Sequence, residues 1–420
     1  MPALPAQRPA WLTAPVLSVS VLSIGAGIAQ YSVTTVIGDV ADHFGQHTGE
    51  GMAAELGMPA TTIGLSLAII RLSSLAALPA TAGADRLGRR RLLLGAVTLG
   101  LALTLTAAAA PSYWFYVALV ALARPALTTV NALAGVVAAE ETRSQDRASA
   151  LALIGVAYGL GAGVVSVGRG LLPGEPSFRV VTAFVLVPLI VIPLLARRVR
   201  EPKIADTTDR ATGTLGMIPA GLRGRVTVLA SMAGILAVAT GPAFTYLFVY
   251  GEGVLGATPG QISLLVLGAG PAGLLGLVLG RYGADYVGRR LTAATGMLLT
   301  GVGLLIAYGG ESLVGLSIGY LSAIAASSMF GPPEGALSAE LVPTWVRATV
   351  AGWITVAGVL GAVAGLAVFG FLADVTGSFT MASRLIGVLV AVSSIGFALL
   401  PETRGMELDE DVPPRRRARR

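Results

Sequence analysis

The chain has no cysteine, which excludes disulfides and thiolate metal sites. Histidine occurs only at His43 and His47. Their spacing of four suits a metal pair on a helix, but both fall in a short polar segment outside the apolar runs and read as solvated loop residues. No metal and no buried histidine acid–base centre is expected. Charge is scarce, at 12% of 420 residues, about half the share a soluble domain carries. Lys203 is the sole lysine among the 29 basic residues, and arginine supplies the rest. No nucleotide-binding motif points to ATP use, and no set of residues resembles a nucleophile with its base. No enzyme activity and no cofactor are expected.

What fills the chain instead is apolar. Over half of it is hydrophobic, 54%, with a mean hydropathy of +0.77. Twelve apolar runs stand near the ~20 residues a bilayer requires: 15–38, 59–80, 92–110, 113–138, 148–172, 179–196, 226–250, 259–280, 291–309, 313–339, 348–371 and 382–400. Unbroken runs of this length mean helices, so the predicted fold is all-α with twelve transmembrane helices. With the N-terminus placed in the cytoplasm, inside loops and tails hold nearly all arginines, and the other side holds at most Arg169, Arg179 and Arg384. That bias puts both termini inside. The segment 38–58, with Asp39, Asp42, Glu50 and Glu55, reads as the first outer loop. The longest polar stretch lies near the midpoint, so the expected organisation is a six-helix bundle over 1–196, a cytoplasmic linker over 197–225, a second bundle over 226–400 and a basic tail over 401–420. The tail's RRRARR run, 415–420, is expected to lie against anionic lipid.

The chain repeats itself. TAGADRLGRR at 81–90 returns as RYGADYVGRR at 281–290. Glu140 and Arg147 return as Glu340 and Arg347, again 200 apart. Each half has six spans, so the copies share one orientation and are parallel repeats about an axis along the membrane normal. Gly88 and Gly288 allow the sharp turn between two helices.

At these residues the chain resembles the major facilitator superfamily, whose loop between the second and third helices reads roughly G-x-L-A-D-R-x-G-R-[KR]. Ala84, Asp85, Arg86, Gly88, Arg89 and Arg90 match, as do Ala284, Asp285, Gly288, Arg289 and Arg290; Thr81, Gly83, Arg281 and Tyr286 depart. AELVPTWVRAT at 339–349 and PETRGMELDE at 401–410 are similar to the sugar-porter branch, but Ser32 stands where that branch has an acidic residue. The resemblance implies alternating access by two bundles and a cytoplasmic gate built from Asp85, Arg86, Gly88, Arg89, Glu140, Arg147, Asp285, Gly288, Arg289, Glu340 and Arg347. Arg90, Arg91 and Arg290 read as topology markers.

Three ionisable residues fall well inside the spans: Arg71, Arg124 and Glu334. Each costs on the order of 3 kcal/mol at mid-helix and is a functional candidate by default. Counted from their helix ends, Arg71 lies about 21 Å deep, Arg124 about 24 Å and Gln30 about 22 Å, which places the three in one layer. Two arginines at one depth without an acidic partner suggest an anionic substrate group. The resemblance has helices 1, 4, 7 and 10 line a central cavity. The substrate-binding candidates are accordingly Gln30, Tyr31, Arg71, Arg124, Asn131, Tyr246, Ser327 and Ser328. Glu334, beside Pro332 and Pro333 near the inner end, is the candidate for proton coupling. The expected protein is a monomeric plasma-membrane carrier for a small organic anion, coupled to protons, with no nucleic-acid partner. Alternatives are a drug or metabolite efflux antiporter, a sugar symporter, and a transporter-like sensor.

Overall fold

The computed structural model describes residues 12–46, 52–83, 87–142, 147–174, 176–196 and 218–405. Asp85 and Arg86, the linker up to residue 217, the tail beyond 405 and the side chain of Arg147 lie outside that description. Among the described residues there is no strand. Eleven helices are long and apolar enough to cross a membrane: α1 (Ala14–Phe44), α2 (Ala60–Ala82), α3 (Arg89–Ala107), α4 (Tyr113–Glu140), α5 (Arg147–Leu171), α7 (Ala220–Val254), α8 (Pro259–Tyr286), α9 (Arg289–Ala307), α10 (Leu313–Glu340), α11 (Thr344–Thr376) and α12 (Phe379–Leu399). The sixth apolar helix, α6 (Phe178–Leu194), is shorter, and its helical turns run on to Ala196.

The repeat read from the sequence recurs in the helices. α3 and α9 both have 19 residues, α4 and α10 both have 28, and each pair is offset by 200. α4 and α10 begin alike. Ser112 accepts from Phe115 N and Ser312 from Gly315 N, which satisfies amides that a helix start leaves without a partner. α10 runs without interruption through Pro332 and Pro333. α1 departs from expectation. It starts at the Thr13 cap, but it does not stop at 38. No proline or glycine occurs between Gly38 and Gly45, so Asp39, Asp42 and His43 ride on about two further helical turns.

The chain divides into two compact units. One comprises Met1–Thr208 and Thr245–Leu267, the other Asp209–Phe244 and Gly268–Arg420. The first unit is centred on α1, whose apolar window is 78% buried against 22% for α8. α1 packs on α4, α5 and α6. The end of α7 and the start of α8 belong to this unit through polar ties: Tyr246 Oη donates to the Ala60 carbonyl at 3.2 Å, and Ser263 Oγ to the Ser166 carbonyl. In the second unit α9 packs on α10 and α12. Within each unit helices cross at backbone contact. In the first, a Cβ on Gly161 of α5 would strike the Ile24 carbonyl and Ile28 nitrogen of α1 at 2.6 Å; in the second, a Cβ on Gly361 of α11 would meet the Gly234 carbonyl of α7 more closely still. Small residues at such crossings are how membrane helices gain packing without a hydrophobic drive.

Gly358, one turn from Gly361, has nothing within 4 Å of its would-be Cβ. Gly361→Ala is therefore expected to destabilise the chain by about 1–3 kcal/mol through overpacking, while Gly358→Ala leaves its melting in detergent unchanged. Equal melting temperatures for the two variants would contradict this packing.

Candidate functional site

Inside the first unit, α1, α2, α4 and α5 bring polar groups together. Gln30 is 5% exposed, and its Oε1 accepts from Tyr158 Oη at 2.9 Å. The Tyr31 and Tyr158 rings lie 5.6 Å apart, tilted by 52°. Arg71 is within electrostatic range of Arg124, Tyr31 and Tyr158, and Tyr31 of both arginines. Gln30, Thr104 and Arg124 line one small void of about 10 Å³, the space of roughly one water. Gln30 Nε2 and Arg124 Nε are buried without a hydrogen-bond partner. The neighbourhood of Arg71 thus holds a second cation and two phenols. The two like charges repel, and the unpaired donors of Arg124 and Gln30 keep their desolvation cost. An anion arriving between the guanidinium groups would offset both.

Asn131 lies on α4 two turns beyond Arg124, so the two share a face; its Oδ1 is buried and unpartnered. Tyr246 is placed elsewhere. It is fully buried, at the start of α2. Ser327 and Ser328 lie in the second unit. Ser327 Oγ donates to its own helix at Ile324, while Ser328 packs against Gly273 of α8. Glu334, half-buried, makes no ion pair among the described residues. Ser32 is fully buried, and its hydroxyl donates to the Ala29 carbonyl at 3.0 Å. Tyr158 was not among the sequence candidates. Its signal was an aromatic ring in an otherwise small-residue stretch of α5.

The repeated loops carry matching devices. Gly88 has φ 88° and Gly288 φ 135°, backbone that only glycine adopts without strain. Arg89 pairs with Glu140, and Arg289 pairs with Glu340 at 3.2 Å; both pairs span 51 residues. Asp285 lies 4.0 Å from Arg289 but is largely exposed. Arg347 Nε donates to the Ala339 carbonyl at 3.1 Å. The next arginines do more than mark topology. Arg90 donates to the Ala196 carbonyl at the end of α6, and Arg290 to the Leu400 carbonyl at the end of α12. A cation suits the carbonyl end of a helix dipole. Glu402, from the PETRG stretch, accepts from the backbone amides of Arg289 and Arg290 at 2.8 and 3.1 Å and so caps α9. A side chain on Gly288 would collide with it. Each of these ion pairs lies within a single unit.

At the opposite end of the first unit the sequence expected only an acidic loop. The structure places a buried cation there. Arg169 of α5 is 3% exposed. Its Nη2 donates to both carboxylate oxygens of Asp39 at 2.8 Å and to Glu252 Oε2 at 2.6 Å, and its Nη1 donates to Glu252 Oε1. The cluster borders a cavity of about 810 Å³ that Asp42, His43 and Glu55 also line.

The sequence model of the Major Facilitator Superfamily matches residues 19–283. The chain belongs to the major facilitator superfamily. Over 141 residues it is 33% identical to the steroid transmembrane transporter SLC22A24 of Rattus norvegicus. That stretch is 32% of this chain and spans only 24% of the relative. Among solved structures, a D-xylose–proton symporter superposes with a TM-score of 0.74 at 16% identity, covering 94% of this chain and 99% of its own. A bacterial homologue of the human lysosomal transporter Spinster gives 0.71 at 14%, covering 94% and 97%. At such identities the likeness is one of fold. This superfamily member is a multi-pass membrane protein.

A double-mutant cycle on Arg289→Ala and Glu340→Ala is expected to show a coupling of about 0.5–3 kcal/mol in detergent stability. Strict additivity would show that this pair does not hold the loop to α10.

Proposed function

We propose that this transporter moves a small organic anion by alternating access, driven by protons. The observation that carries the reading is the Arg71–Arg124 pair, set among Gln30, Tyr31 and Tyr158. Two guanidinium groups and an unpartnered amide make a donor set for a carboxylate, sulfate or phosphate group, and the two phenol rings offer apolar faces to the rest of an organic solute. The partial similarity to a steroid transporter is consistent with a solute that has an apolar body. The sugar-symporter alternative is weakened at Ser32, which has no charge and spends its hydroxyl on its own helix.

In this reading the arginine-rich end, with both termini, faces the cytoplasm of the plasma membrane, and the chain acts as a monomer made of two six-helix bundles. Asn131 extends the anion site along α4, while Tyr246, Ser327 and Ser328 take part from α7 and α10 as the carrier changes state. Glu334 is the candidate proton carrier on α10. The Arg89–Glu140 and Arg289–Glu340 pairs hold the two loops so that Asp85 and Asp285, with Arg86, Arg147 and Arg347, serve the cytoplasmic gate.

Arg124→Gln and Arg71→Gln remove one donor set each without a large change in volume. Each is expected to lower saturable uptake of organic anions into proteoliposomes at least tenfold, equivalent to about 1.4 kcal/mol, with the melting temperature retained. Unchanged kinetics in both variants would defeat the anion reading.

A further inference from the structure

We propose that Glu252 and Arg169 form a latch that holds the end of α7 on α1 and α5, and that this latch releases when the cavity beside it opens. The inference rests on the alternating-access reading but not on the identity of the solute.

Four observations lead to it. First, α7 is divided. Its residues up to Phe244 belong to the second unit, and those from Thr245 onward to the first. Second, Glu252 sits in a π-helical turn, Val249–Val254, where Leu255 N bonds the Tyr250 carbonyl five residues back. Such turns are uncommon and concentrate at functional sites; here the extra residue lies in the turn that carries Glu252. Third, the cation it meets is almost wholly buried, yet it borders a cavity of about 810 Å³. Fourth, the charges are unequal: one guanidinium serves two carboxylates, Asp39 on the same unit's α1 and Glu252 on α7.

That inequality separates a latch from a structural pair. Removing the Glu252 charge leaves Asp39 and Arg169 as a balanced ion pair between α1 and α5, so the first unit keeps its internal tie. Removing Arg169 leaves two carboxylates facing each other without a cation, which is costly in a buried place. Both changes remove the Arg169 tie on the end of α7, but only the second should weaken the fold.

The absence of native cysteine makes a direct test available. Thr35 lines the cavity one turn below Asp39 and is 2% exposed, so Thr35→Cys gives a single thiol behind the latch. The probe is a membrane-impermeant maleimide applied to the full-length protein in proteoliposomes, without solute. Adding Glu252→Gln is expected to raise the labelling rate at least fivefold with melting unchanged. Adding Arg169→Gln should raise it as well, with a lower melting temperature. Glu55→Gln removes a carboxylate from the same cavity lining that makes no bond to Arg169, and it should leave the rate alone. Unchanged labelling in Glu252→Gln, or an equal rise in Glu55→Gln, overturns the latch. Asp39→Asn, which leaves the Glu252–Arg169 pair balanced, should keep labelling slow, and fast labelling there also counts against it.

Discussion

Charge in a hydrocarbon layer is the constraint on which this structure depends. An ionised group far from water costs several kcal/mol unless something compensates it, and the chain answers in three ways. Most charges stand at the ends of the spans, where Arg90 and Arg290 meet helix carbonyls and Glu402 meets helix amides. Arg169 is buried near the end of α5, where its two Nη groups bind two carboxylates and its Nε has no partner. Arg71 and Arg124 share a neighbourhood with the phenols of Tyr31 and Tyr158, and Arg124 Nε and Gln30 Nε2 are buried without a partner. In the proposed function, a solute anion would bring the compensation missing there.

The internal repeat sorts scaffold from function. At a fixed offset of 200, the glycine turns, the Arg–Glu pairs, the serine caps and the close-packed Gly161 and Gly361 all have counterparts. The functional candidates on helices α2, α4 and α5 do not. Arg71 corresponds to Pro271, Arg124 to Ile324, Tyr158 to Gly358 and Arg169 to Phe369. What both halves need for folding has been kept twice. What the proposed sites would need occurs once, and the Arg71, Arg124 and Arg169 candidates all lie in the first unit.

Much of this was legible in the sequence. Run lengths counted the helices, the repeated loop located the two glycine turns, and depth counting placed Gln30, Arg71 and Arg124 in one layer; in the structure Gln30 and Arg124 line one void. Three things were not legible, each for a physical reason. α1 was cut short because charge was taken as the edge of the span, whereas a helix ends where its backbone ends, at Gly45. Arg169 was counted only as an outer-side charge because its partners lie 130 and 83 residues away, and no local pattern encodes such a contact. Arg90 and Arg290 were read as topology markers because their acceptors are backbone carbonyls, which leave no trace in side-chain chemistry. The Asp285–Arg289 neighbours were visible from spacing alone, yet the stronger partner of Arg289 proved to be Glu340.

The most direct measurement of the central claim is solute uptake by the purified chain in proteoliposomes. Organic carboxylates, sulfates and phosphates would be compared with neutral solutes of matched size under an imposed pH gradient. The arginine layer predicts saturable, gradient-dependent accumulation of anions and none of the neutral compounds. Accumulation confined to neutral sugars would contradict it.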